Sequence, residues 1–131
     1  MSDQVGDNAE HDLDIGSASL TIVLLAPLLL VLMFAGFQAA MWNHTRTEAR
    51  VIARETAVLV ARDRLPAPQA SAAASAALAT DSVLTGTSVS VDETATLVVV
   101  TITGRAPGVL RGTSAPVSVT VAVALEGWVS L

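Results

Sequence analysis

The chain has 131 residues, which is enough for a membrane anchor and one small domain, and its net charge is −5. It contains no cysteine, which excludes disulfides, iron–sulfur clusters and thiolate zinc sites. It also contains no lysine, and its arginines are spread along the sequence instead of forming a nucleic-acid-binding patch.

Residues 1–16 form an acidic leader, which we expect to be a flexible, solvated tail on the cytoplasmic side of a membrane. Its Asp12 and Asp14 resemble a carboxylate pair, but no apolar segment around them predicts a pocket. The acidic side chains of the leader are Asp3, Asp7, Glu10, Asp12 and Asp14.

An apolar block follows the leader, and Gln38 is its only strongly polar side chain. From Leu20 to Trp42 it would be about 35 Å long as a helix, against a hydrocarbon core of about 30 Å. The rest of the chain is too small to cover such a helix in a soluble protein. A cleaved signal peptide is also disfavoured, because the leader is acidic, the apolar core is long and no A-x-A site follows. We predict a transmembrane helix over residues 17–42.

Three residues of this helix are candidates for contacts with other helices. Pro27 removes one backbone donor and can kink the helix, and neighbouring helices can satisfy the freed carbonyl. Gly36 and Ala40 form a small-xxx-small pair, which allows a second helix to approach closely. The alternative is that glycine and alanine are simply common in membrane helices.

Residues 43–65 predict a continuation of the same helix outside the membrane, because they contain no glycine or proline. Arginines recur at every fourth position on one face, beside a ridge of alanines and further apolar residues. We expect one helix from Ser17 to about Arg64, ended by Pro66 and Pro68. The arginines are Arg46, Arg50 and Arg54; the ridge is Ala49, Ala53, Ala57 and Ala61; the apolar side is extended by Val51, Ile52, Val58 and Leu59.

Residues 66–131 predict a small α/β domain. Ala70–Leu84 is rich in alanine and serine and predicts a second, shorter helix, with a low-complexity linker as the alternative. Beyond Gly86 the apolar period changes to two, which predicts strands whose single apolar face the helices must cover. The strands are Ser88–Asp92, Leu97–Thr103 and Val117–Leu125. The expected fold class is α+β: a long N-terminal transmembrane helix continuing out of the membrane, a short Ala-rich helix and a small antiparallel sheet of three strands.

No arrangement of residues in the sequence indicates catalysis or metal binding. His11 and His44 lie on opposite sides of the apolar block and cannot share a metal ion, and His44 is expected at the membrane interface. No serine stands in a suitable G-x-S-x-G or S-x-x-K context, and Gly104–Gly112 lacks the Gly-Lys-Ser/Thr ending of a phosphate loop. We expect no enzymatic activity, no cofactor, no metal, no small-molecule substrate and no nucleic-acid partner.

The start of the apolar block has a distinctive local spacing. Gly16 is followed by small residues, the fifth position after it is Thr21, and Pro27 stands six positions later. Two further stretches, Val98–Pro107 and Ala115–Thr120, carry a V-T-G-x-A-P-like and a P-V-S pattern. Together these residues resemble the TadE-like family of pseudopilins and pilus-assembly proteins, from tight-adherence (Tad, type IVc) pilus systems, in its actinobacterial form.

The resemblance implies roles for particular residues and partners. Gly16 corresponds to the processing site of a prepilin peptidase, Ser17 to the first mature residue, and Thr21 to the charge-pair position. The family carries an acidic residue at that position, which a threonine hydroxyl cannot replace, although it can hydrogen-bond to its own helix. The implied partners are the membrane, other pilin-like subunits or Tad assembly proteins, and prepilin peptidase.

The orientation in the membrane is a separate expectation. The arginines lie after the apolar block and none before it, which by the positive-inside rule favours a cytoplasmic C-terminus. The resemblance implies the reverse, and we expect an extracytoplasmic C-terminal domain. The alternative function is that of an uncleaved, single-pass, signal-anchored membrane protein whose β domain recruits an envelope or secretion partner.

Overall fold

The computed structural model describes the backbone of residues 3–125 and the side chains of residues 16–125. Over this range the chain forms a long helix, a short helix and a three-stranded antiparallel sheet, which confirms the predicted α+β fold. The elements in chain order are α1 (Asp3–Asp63), α2 (Ala67–Asp81), β1 (Thr85–Glu93), β2 (Leu97–Ala106) and β3 (Ala115–Ala124).

Helix α1 is 61 residues long and begins at Asp3, not at Ser17 as predicted. The expectation of a flexible leader is therefore wrong for the backbone of residues 3–15, which is helical. No proline interrupts this segment, and acidic residues are favourable near a helix N-terminus because they complement the helix dipole. The chain divides into two compact units, and the boundary falls between Phe37 and Gln38.

The sheet belongs to the second unit and has the strand order β1–β2–β3. On the central strand, Val98, Val100 and Ile102 are fully buried and alternate with more exposed residues, as expected for a sheet with one covered face. Strands β1 and β2 extend beyond their predicted bounds, to Thr85 and Ala106. The β1–β2 pairing shifts register between Thr85 and Ser88, around a glycine with positive φ at position 86.

The second half of α1 contributes to the core beneath the sheet. The predicted alanine ridge is confirmed for three of its four members, because Ala49, Ala53 and Ala57 are fully buried in one cluster with the inner residues of the strands, whereas Ala61 is partly buried. Small side chains allow a helix to pack closely against a sheet, so the ridge sets where α1 meets the core. Of the apolar residues predicted beside the ridge, Ile52 is buried, whereas Val51, Val58 and Leu59 are exposed.

Helix α2 completes the cover of the sheet. Its buried residues Ala70, Ala74 and Leu78 lie four apart on one face. The prediction of a short Ala-rich helix is confirmed in place of a linker, although the helix begins and ends about three residues earlier than expected. The reason for the early start is that Pro68 occupies the first helical turn, where its missing N–H costs nothing.

Candidate functional site

One helix in the described part of the chain, α1, is long and apolar enough to cross a membrane, over part of Gly16–Asp63. Its most apolar stretch is not buried inside the protein at all. Leucine, isoleucine, methionine and phenylalanine side chains from Leu20 to Phe37 are about half to three-quarters exposed. Such a stretch fits a single-pass membrane protein, because lipid can cover what the protein itself leaves open.

The residues predicted around the processing site lie within the first turns of this apolar stretch. Gly16, Ser17 and Thr21 are all exposed. The Thr21 hydroxyl donates a hydrogen bond to the Ser17 carbonyl at 2.9 Å, one helical turn earlier. Threonine hydroxyls in helices commonly make this bond. It means that Thr21 is engaged with its own helix.

The three predicted helix-contact residues are all found within α1. Pro27 lies inside the helix, which continues on both sides of it. A Cβ atom added at Gly36 would meet nothing within 4 Å. Ala40 is also exposed. At each of the two small residues, the helix surface is therefore open to an approaching neighbour.

Gln38 makes a long-range contact that was not predicted from the sequence. Its Oε1 accepts a hydrogen bond from the backbone N–H of Val109 at 2.9 Å. Its Nε2 donates to the backbone carbonyl of Thr113 at 3.3 Å. Both ends of the amide are thus bound to the β2–β3 loop, Pro107–Ser114. The sequence shows Gln38 as a single polar residue among apolar ones, which suggests that its amide has a partner. It does not show which residues that partner includes.

Trp42 binds the same region one helical turn further along α1. Its indole Nε1 donates to the carbonyl of Pro116, the second residue of β3, at 3.4 Å. The guanidinium carbon of Arg46 lies 5.4 Å from the centre of the Trp42 ring, which is within range for a cation–π interaction. Gln38, Trp42 and Arg46 therefore line one side of α1, and the first two hold the loop and the start of β3.

The β2–β3 loop has a tightly bonded tip. Thr113 donates to the Leu110 carbonyl from its backbone N–H at 3.1 Å and from its hydroxyl at 2.7 Å. The same hydroxyl accepts from the Leu110 N–H at 3.3 Å. A Cβ atom at Gly108 would overlap Thr113, and Gly112 has φ +88°, so both glycines are needed for this conformation.

Other polar side chains of the second unit make local contacts. His44 Nε2 lies 3.2 Å from Glu48 Oε1, one turn apart on α1. Arg105 at the end of β2 donates to the hydroxyl and carbonyl of Ser114, at 3.1 and 3.3 Å, which fastens the other side of the loop. Among residues 16–125, no three His, Cys, Asp or Glu side chains are grouped so that they could hold a metal ion.

A known protein family matches part of helix α1. The model of the TadE-like protein family matches residues 16–58. The chain carries a TadE-like segment. Over residues 16–58 this confirms the resemblance noted in the sequence, and it supports a membrane protein associated with Tad pilus systems. No curated protein and no solved structure matches the chain.

The TadE-like segment has clear structural limits. It begins at Gly16, includes the whole apolar block and ends within the half of α1 that contributes to the core. The helix α2, the sheet and the β2–β3 loop lie outside the match. Gln38 and Trp42 lie within the matched segment. Gln38 binds the β2–β3 loop and Trp42 binds the start of β3, and both of these lie outside it.

Proposed function

We propose that the chain is a TadE-like minor pilin (pseudopilin) or pilus-assembly membrane protein of a Tad (type IVc) pilus or a related secretion system. The observation that carries this proposal is the start of the family match at Gly16. This is the residue to which the resemblance assigns the processing site. The role is structural, and we assign the chain no catalytic activity and no cofactor.

Exposed apolar surface on α1 supports a role in contacts with other helices. Within the first unit, the apolar side chains face outward and Gly36 offers room for a neighbour. Within the second unit, Val51 and Val58 are two turns apart on the same side of α1, and both remain exposed together with Leu59. A protein that leaves such residues open along a helix is suited to packing against similar helices.

The proposed location is the cytoplasmic membrane, with the sheet on the extracytoplasmic side and the chain passing into a pilus after assembly. Pilin-like subunits and Tad assembly proteins are the proposed partners, and a prepilin peptidase is proposed to cleave between Gly16 and Ser17. Thr21 occupies the charge-pair position without a carboxylate. The proposal therefore assigns the chain a specialised place in the assembly, where that pair is not required.

The alternative is an uncleaved, single-pass, signal-anchored protein whose β domain recruits an envelope or secretion partner. One observation favours it: the helical backbone runs through Gly16 without a break. A peptidase needs an extended segment, so cleavage requires local opening of α1 at that point. The fate of the leader therefore separates the two functions.

The decisive experiment is the intact mass and N-terminal sequence of the protein isolated from native membranes. We expect a chain that starts at Ser17. A matched pair of variants controls for nonspecific proteolysis: Gly16→Leu is expected to retain the leader, and Gly6→Leu to lose it as the natural chain does. A natural chain that keeps Asp3 to Gly16 would contradict pilin-type maturation and establish the anchored alternative.

A further inference from the structure

We propose that the β2–β3 loop is a second membrane contact, in which Val109 and Leu110 enter the interfacial layer of the bilayer. The inference rests on α1 crossing a membrane and does not depend on the proposed role in a pilus. It concerns Pro107–Ser114, which lies outside the TadE-like segment. The partner is the phospholipid surface that surrounds the end of the transmembrane stretch.

The contacts of the β2–β3 loop with α1 determine its depth relative to the bilayer. The apolar block ends at Trp42, and tryptophan side chains prefer the membrane–water interface. Gln38 lies one turn before Trp42, about 6 Å further into the apolar stretch. Because Gln38 binds Val109 and Thr113 directly, the loop lies at the level of the hydrocarbon boundary.

The tip of the loop exposes two aliphatic side chains. Val109 is 42% exposed and Leu110 is 63% exposed, although the rest of the β2–β3 connection is polar or small. In water, two adjacent exposed aliphatic side chains are unfavourable, and in the interfacial layer they are not. The next residue, Arg111, is also exposed, and its guanidinium suits the phosphate groups of the lipid surface.

Several polar groups at the tip are hydrogen-bonded. The N–H groups of Val109, Leu110 and Thr113 all donate hydrogen bonds, and the carbonyls of Leu110 and Thr113 accept them. The Thr113 hydroxyl is paired as well. Backbone groups near hydrocarbon need such partners, because no water is available to replace them.

The hydrogen bonds of Gln38 are also explained by a position near the hydrocarbon core. A glutamine near the edge of the hydrocarbon core is costly unless its amide is hydrogen-bonded. The loop satisfies both its oxygen and its nitrogen. The helix thus positions the loop, and the loop removes the cost of the polar residue in the apolar block.

The experiment uses the absence of natural cysteine. Leu110→Cys in the full chain is labelled with an environment-sensitive fluorophore. The labelled protein is then reconstituted into vesicles of phosphatidylcholine and phosphatidylglycerol, at less than one protein per vesicle. The control is Ala95→Cys, an exposed residue of the β1–β2 turn, at the other end of the ten-residue strand β2 and about 30 Å away.

We expect nitroxide-labelled lipids with the nitroxide near the headgroup to quench the Leu110 label several-fold more strongly than the Ala95 label. Water-soluble iodide should show the reverse order. Equal quenching of the two labels by the lipid nitroxide would overturn the proposal. So would protection of the Leu110 label from iodide without quenching by lipid, since that result would place protein over the tip. If Leu110→Cys does not fold, Val109→Cys takes its place with the same expected outcome.

Discussion

At the scale of single residues, Gln38 carries the most consequential contact in the described part of the chain. It pairs with Val109, 71 residues away in sequence, and so connects the helix to a loop that the sequence leaves unattached. A polar residue alone in an apolar block was visible from composition. Its partner was not visible from composition. Almost any residue type can donate from its backbone N–H, so the sequence does not show which residue does so.

Replacing Gln38 with leucine should loosen the β2–β3 loop. The N–H of Val109 and the carbonyl of Thr113 would lose their side-chain partner. Because both bonds are exposed in the structure, the loss is that of an ordinary hydrogen bond, about 0.5–1.5 kcal/mol. Amide hydrogen exchange at Val109 in the micelle-bound protein should therefore accelerate by about twofold to tenfold.

The matched control for this variant is Gln69→Leu on the exposed side of α2, which makes the same chemical change away from the loop. Exchange at Val109 should be unaffected by it. If the two variants leave the Val109 amide equally protected, then Gln38 does not hold the loop.

At the scale of elements, the core depends on small side chains from the helices and branched side chains from the strands. Helix α2 presents Ala70, Ala74 and Leu78 to the sheet, and Leu78 is the only large residue among them. It is fully buried. Leu78 is therefore the largest single apolar side chain that α2 removes from water.

Leu78→Ala should strongly destabilise the second unit. Truncation of a fully buried leucine typically costs about 2–5 kcal/mol, because the transfer free energy is lost and a cavity remains. The free energy of opening, measured by denaturant-dependent amide exchange in β2, should fall by that amount. Leu59→Ala, at a leucine that is 41% exposed on α1, should lower it by less than about 1 kcal/mol. A similar loss in both variants would show that α2 does not anchor the sheet.

The order and type of the elements followed from hydropathy, composition and periodicity, but their ends did not. The period of two predicted one apolar face for the sheet and the alanine spacing predicted a packing ridge on α1, whereas the buried residues of β2 were not predicted one by one. Strand ends extended further, because backbone pairing between β1 and β2 continues to Arg105 whatever the side chains. The exposure of Val51 and Val58 was also missed, since periodicity identifies an apolar face but not how much of it the rest of the chain can cover.

Some residues of the candidate site could be named from the sequence, and others could not. Gly16, Pro27 and Gly36 could be named from the sequence because the features that single them out are local to one helix, and their roles stay predictions. The attachment of the β2–β3 loop was not found, because it depends on how far β2 and β3 extend before the chain turns. Only the structure shows that Gly108 lies against Thr113 and that Gly112 has a positive φ.

At the scale of the whole molecule, the arginines after the apolar block and the sheet of the second unit are tied to the same side of the membrane. Positive charge favours retention on the cytoplasmic side. However, the half of α1 that carries these arginines also supplies Ala49, Ala53 and Ala57 to the core of the sheet domain. The arginines and the sheet must therefore be on the same side of the membrane, and one measurement of the sheet decides the orientation of both.

A cysteine in the β1–β2 turn provides that measurement. Spheroplasts that express Ala95→Cys should react with a membrane-impermeant maleimide without permeabilisation, because we expect the sheet on the extracytoplasmic side. The natural chain, which has no cysteine, supplies the background. Labelling that appears only after the membrane is permeabilised would establish the inverted orientation.

The unbroken course of α1 through Gly16 has a consequence for any processed form of the protein. In an α-helix each N–H bonds to the carbonyl four residues earlier, so the amides of Ala18, Ser19 and Leu20 depend on carbonyls of the leader. Cleavage would remove those carbonyls and turn the middle of a helix into its positive pole, with a terminal ammonium beside it. The Thr21 hydroxyl already donates to Ser17 and carries no charge. An anion from another molecule would therefore stabilise the new end of a mature subunit, whereas the leader leaves no such site in the unprocessed chain.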